Sequence, residues 1–244
     1  MKNGGHMEKT KSVIRVGTTE GRFRMVMPRL MREFGDKYPD YDIRGVIGNA
    51  EELRIMLEKG ELDLAFSGIS PLTPECIEKE LLIDEKLYLV VSDEMLREYF
   101  PERYPGCIAD FSEGADLRDF TRLPFSLSLP GLHCMQILDD LLAREGITLN
   151  CIHRSPHFDL HQEMAERGIA ACFSLTMYLP HLYSMNLDGY NNELFVFPIR
   201  NLTDTNPVYI LTNRNSPYVD GTEEFRALLK NEVKELGGYP LLRS

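Results

Sequence analysis

The stretch VIRVGTTEGRFRMVMPRLMREF, Val13 to Phe34, decides how this chain is read. Val13, Ile14 and Val16 form a β-branched run too short for a helix, and Gly17, Thr18 and Thr19 close it with small groups and two hydroxyls. After Gly21 the apolar residues Phe23, Val26, Met27, Leu30, Met31 and Phe34 recur at helical spacing. The pattern predicts a strand, a small polar turn and a helix whose free N-terminal amides face the threonines, a place where an anion is welcome. A plain βα turn with nothing bound is the alternative. Arg22 and Arg24 flank the same turn and could add charge to it, but they read first as solvated arginines of a first helical turn.

Working outward, Tyr38 and Pro39 stop the helix and Tyr41 to Ile47 alternates as a second strand. Asn49 followed by Glu52 matches a capping box, Leu53, Met56 and Leu57 share one helix face, and Gly60 stands where a left-handed residue ends a helix. Leu62 to Ser67 is a third strand, so this segment reads as βαβαβ with a parallel sheet. Ile77 to Ser92 holds two further strand-like runs, LLI and LYLVV, expected to extend that sheet. From Asp93 to Thr121 the pattern degrades around Pro101, Pro105, Gly106 and Gly114, as in a crossover region.

A second βαβαβ follows: a strand at Pro124 to Ser128, a helix at Leu132 to Arg144 stopped by Gly146, and a strand at Ile147 to Arg154. Asp159 with Gln162 is a candidate cap for a short helix ending at Gly168, and Ile169 to Ser174 is the third strand. The two halves repeat in architecture and not in residues. Strands at Leu194 to Ile199 and Pro207 to Asn213 precede a last helix carrying Phe225, Leu228, Leu229, Val233 and Leu236 on one face. The expected fold class is therefore α/β, with two Rossmann-like open-sheet lobes joined by two crossings and a ligand cleft at the carboxyl ends of the strands. Residues 13–92 and 205–236 are assigned to lobe I, 93–120 to the crossover and 121–204 to lobe II.

Composition narrows the function. With 244 residues and 43% hydrophobic content the chain can build real cores. Its 38 acidic against 27 basic residues, a formal charge of -11, argue against this chain alone gripping a nucleic-acid backbone. No apolar run is long enough to span a membrane, and no secretory signal opens the sequence; MKNGGHM, with the lead-in to residue 12, reads as a tag remnant. Five cysteines without CxxC spacing suit reduced thiols and a cytoplasmic location. His153, His157 and His161 fall four apart beside Cys151, but Pro156 interrupts the run, so helical metal-ligand spacing does not apply and no metal is expected. No GxSxG, HExxH, P-loop or GxGxxG occurs, so neither catalysis nor a cofactor is expected.

The runs IRVGTTEG, MPRLMREFGDKYPDYDI and NAEELRIMLEKGELDLAFSG, in that order, resemble the effector-binding (co-inducer-binding) domain of LysR-type transcriptional regulators, a periplasmic-binding-protein type II-like fold. Pro28, Leu30, Phe34, Tyr38, Pro39, Gly60, Asp63 and Ala65 carry the resemblance, which covers roughly residues 13–236. Asp93, Glu94 and Met95 depart from the family's His-Pro-Leu, and Leu96 to Asp116 is longer than usual. The resemblance implies a small effector held in the cleft by Thr18, Thr19, Asn49 and Ser67 in lobe I and by Ser126, Ser128, His157 and Phe158 in lobe II. Asn49 reads as a helix cap ahead of a ligand contact. Small hydroxyls and helix amides suit a small anionic metabolite. The resemblance also implies a homodimer, and DNA contact only through a winged helix-turn-helix outside this sequence. A stand-alone solute-binding protein of a transporter is the alternative.

Overall fold

The computed structural model describes residues 11–188 and 192–241, so most of the lead-in lies outside the described residues. In chain order the elements are β1 (Ser12–Thr18), α1 (Glu20–Lys37), β2 (Tyr41–Ile47), α2 (Ala50–Glu58), β3 (Leu64–Ser67), β4 (Ile77–Glu85) and β5 (Leu87–Ser92). Then come α3 (Asp93–Tyr99), α4 (Gly106–Ser112), β6 (Pro124–Ser128), α5 (His133–Glu145), β7 (Asn150–Ser155), α6 (Phe158–Glu166), β8 (Cys172–Leu175), α7 (Leu179–Asp188), β9 (Leu194–Pro198), β10 (Asn206–Asn213) and α8 (Thr222–Gly237). The chain divides into two compact units, residues 1–82 with 209–232 and residues 83–208 with 233–244. The α/β, periplasmic-binding-protein-like class expected from the sequence is the class observed.

The first unit is built on a sheet of order β2-β1-β3-β10-β4, with β1 parallel to β2 and β3 and β10 antiparallel to β3. Val26, Met27, Leu30 and Phe34 form the buried stripe of α1, as their spacing requires. Leu53 and Leu57 of α2 pack with Leu62 and Ala65. Gly17 is required where β1 passes beneath α2: a Cβ there would stand 2.5 Å from Leu62 Cδ1 and 2.6 Å from Leu53 Cδ2. Gly60 sits at φ +68° after α2, the left-handed region that favours glycine. Its carbonyl accepts from Arg15 Nη1 at 2.6 Å, while the Asp63 carboxylate accepts from the Arg15 backbone amide at 2.7 Å and from its guanidinium. That clamp on β1 is the physical content of the Gly60-x-x-Asp63 pattern.

In the second unit β6 and β7 pair in parallel and β5 lies antiparallel between β8 and β9. A parallel bridge from Phe125 to Ala171 joins the two groups, with Ala171 N donating to Pro124 O at 2.8 Å. The order becomes β7-β6-β8-β5-β9, matching the first unit strand for strand in its first three, parallel, members. Two sequence expectations differ here. The run LYLVV does not extend the first sheet: β5 pairs with β8 and β9, so the units divide at residue 82 and not at 92. Residues 93–120 are not a bare crossover, since α3, α4 and the turn at Leu117–Phe120 fold around Phe100, Phe111 and Phe120, whose rings lie 4.6–5.2 Å apart. The chain also passes between the units a third time, within α8. Among the described residues no helix is long and apolar enough to cross a membrane.

Candidate functional site

Thr19 follows β1 in extended conformation as the N-cap of α1, but its side chain makes no capping bond, so the first amides of this 18-residue helix are left to other acceptors. Arg22 is only 7% exposed, against the expectation of a solvated arginine. Its Nη1 donates to Thr19 Oγ1 at 3.2 Å, so the Thr19 hydroxyl acts there as an acceptor and its own proton is not used in that bond. Arg24, in contrast, is exposed and pairs with Glu20 at 2.8 Å.

The other candidates of this unit are more engaged. Thr18 is fully buried and its hydroxyl donates to Phe66 O at 2.6 Å, tying β1 to β3. Ser67 Oγ donates to Gly68 O at 2.7 Å. Asn49 Oδ1 accepts from the amides of Glu51 and Glu52 at 3.0 Å each, and Glu52 reaches back to Asn49 N, completing the capping box. With its amides capped and two glutamates in its first turn, α2 is a poor anion site; α1 is the better one. Glu51 is itself held at a pKa of about 2 by hydrogen bonds from Arg54 and Ser70.

In the second unit Ser126, Ser128, Phe158 and His161 line a narrow pocket at the end of β6, walled by Leu87, Leu127, Cys134, Met135 and Phe173. Ser126 Oγ lies 2.6 Å from His161 Nδ1 and 2.9 Å from His153 Nδ1, and His161 Nε2 lies 3.1 Å from Ser155 O. Phe158 stacks on Tyr178 with ring centroids 4.9 Å apart. His157 is the N-cap of α6, without a side-chain capping bond. The expected cap pair does not form: Asp159 lies inside the first turn, and Gln162 is buried, donating to Ser174 Oγ at 3.0 Å. Neither His161, weighed in sequence only as a metal ligand, nor Arg22, read as solvated, was assigned there as an effector contact. A buried histidine one turn into a helix and an arginine in a stripe of methionines give no periodic signal.

Burial pushes the His161 pKa below the ordinary imidazole value, with the neighbouring His153 acting in the same direction more weakly. The unfolded chain, with its imidazole at the ordinary value of 6.5, then takes up protons that the native state refuses. The stability due to neutral His161 is complete above pH 6.5 and is lost as pH falls through the lowered native pKa. Denaturant melts of wild type and His161→Gln from pH 7 down to 5 check this. The wild type is expected to lose stability faster on acidification, and equal slopes would contradict it.

A family model described as LysR substrate binding domain matches residues 8–234. The uncharacterized HTH-type transcriptional regulator YcgK of Bacillus subtilis is 26% identical over 161 residues, 63% of this chain and 49% of that protein. The chain thus spans about half the length of this curated relative. HinK, a LysR family transcriptional regulator from Pseudomonas aeruginosa, superposes with a TM-score of 0.69 at 19% identity, covering 93% of this chain and 71% of HinK. The effector-binding domain of QuiR, solved in complex with shikimate, gives 0.65 at 16% identity over 92% and 98%. At these identities the structures speak for the fold, and the family match, running through nearly the whole sequence, assigns membership. The chain belongs to the LysR substrate-binding domain family.

Proposed function

We propose that this chain is the ligand-sensing part of a cytoplasmic LysR-type transcriptional regulator whose effector is a small anionic metabolite, with DNA contacted through a separate domain of the longer protein and the chain working as a homodimer. The observation that carries the anionic reading is the buried Arg22 guanidinium against Thr19 at the uncapped N-terminus of α1. A cation, a hydroxyl donor and helix amides converge there, and together they favour a carboxylate or a similar small anion. The QuiR domain's partner, shikimate, is itself a carboxylate, which agrees with this reading. Thr18, Thr19, Asn49 and Ser67 in the first unit, and Ser126, Ser128, His157 and Phe158 in the second, are the proposed effector contacts. Thr19 is the principal donor, and Thr18 and Asn49 act chiefly by holding the strand ends and α2 in place. The chain performs no catalysis in this account.

A ligand that binds only the native state raises the melting temperature by mass action. In a thermal-shift panel of carboxylates, phosphates, amino acids and uncharged apolar compounds at millimolar concentration, the shifts are expected among the small anions. Shifts confined to the uncharged compounds would refute the anionic reading.

A further inference from the structure

The hydrogen-bond chain at the end of β6 has only one consistent arrangement of protons. Ser155 O can only accept, so the His161 Nε2 at 3.1 Å carries a proton. His161 is 1% exposed, and burial keeps it neutral at neutral pH, so its Nδ1 is a lone pair. The Ser126 hydroxyl, 2.6 Å away, must therefore donate to it. A hydroxyl has one proton, so the 2.9 Å contact between Ser126 and His153 runs the other way, from His153 Nδ1–H to the serine oxygen. Ser126 has then spent its donor and filled one lone pair. One lone pair remains.

That oxygen lines a pocket with about 10 Å³ of room, enough for a single water-sized group, between Leu87, Met135, Phe158 and Phe173. A carboxylate oxygen placed against Ser126 would meet a lone pair there and no proton. An ammonium would be desolvated among apolar side chains without a counter-charge. A hydroxyl fits in both size and polarity. We infer that Ser126 accepts a hydrogen bond from a hydroxyl group of the effector, and that His161, as a positioning residue, fixes this polarity. This rests on the effector-sensing reading and narrows its ligand class to hydroxylated acids on an apolar framework.

Nitrogen-15 spectra of the imidazoles in the whole chain test the proton arrangement without any ligand. His161 protonated on Nε2 and His153 on Nδ1 is the expected result, and His161 protonated on Nδ1 would overturn the inference. Calorimetric titration with benzoate, 3-hydroxybenzoate and 4-hydroxybenzoate tests the ligand class. At least one hydroxylated probe is expected to bind about 10-fold tighter than benzoate at pH 7.5, the scale of one buried hydrogen bond. Ser126→Ala, checked for an unchanged melting temperature, should abolish that preference. Absence of any hydroxyl preference, or a preference that survives in Ser126→Ala, refutes the inference. Benzoate affinity that depends on Arg22 would still stand in that case, which separates this failure from failure of the anionic reading.

Discussion

Arg22→Leu is expected to weaken binding of a carboxylate effector by about 10- to 100-fold, with a cooperative melt retained. A hydrogen bond to a charged partner contributes roughly 1.5–3 kcal/mol, and about 1.4 kcal/mol is a factor of ten in affinity. In the proposed site Arg22 would make such a bond, its guanidinium being buried at the first turn of α1 and within reach of Thr19 Oγ1. Arg22→Lys should fall between the two, since it keeps the charge and loses the planar fork. Calorimetric titration of the three proteins with the strongest carboxylate from the thermal panel measures the effect. An Arg22→Leu affinity within twofold of wild type would move the anion site away from this helix.

Phe34→Ala is expected to give the largest loss of stability, about 3–5 kcal/mol, the range for truncating a fully buried aromatic side chain. Phe34 is 0% exposed and is where α1, the turn after it, β2 and α8 meet: its ring lies 4.7 Å from Tyr38, 5.9 Å from Tyr41 and 5.6 Å from Phe225. These contacts also explain a stretch of sequence. In the passage from Phe34 to Tyr38-Pro39, the phenylalanine anchors the helix and the tyrosine turns the chain beneath it before β2 starts. Urea denaturation checks the prediction, and a loss below about 1 kcal/mol would show that the cluster is not a centre of the first unit's core.

How far the sequence foretells this structure depends on the range of the signal. Strand β2 and the capping box of α2 were legible because period-two alternation and an Asn-x-x-Glu pattern are local signals. The partner of β5 was not, because only Lys86 separates it from β4 and no turn residue marks the change of sheet. Which strands it joins is decided by β8 and β9, which lie about 80 to 110 residues further on. The segment 93–120 looked like a linker because its prolines and glycines are visible in sequence, whereas the meeting of Phe100, Phe111 and Phe120 is not. Helix α7 escaped notice for a related reason: Pro180 in its first turn and a weakly patterned, mostly apolar sequence hide the helical period. In the candidate site, residue type identified the strand-end hydroxyls, but not how their protons are used. Thr18 and Ser67 donate within the protein, Ser126 lies within hydrogen-bond distance of His153 and His161, and the sequence could not show that Arg22 and His161 are buried.

The most direct measurement of the central claim compares matched pairs that differ only in charge, such as benzoate with benzamide, by calorimetric titration of this chain at low salt. An effector site anchored at the N-terminus of α1 predicts that the acid of at least one such pair binds ten-fold or more tightly than its amide, and that Arg22→Leu removes the difference. Amides that bind as well as their acids throughout the panel would contradict the account.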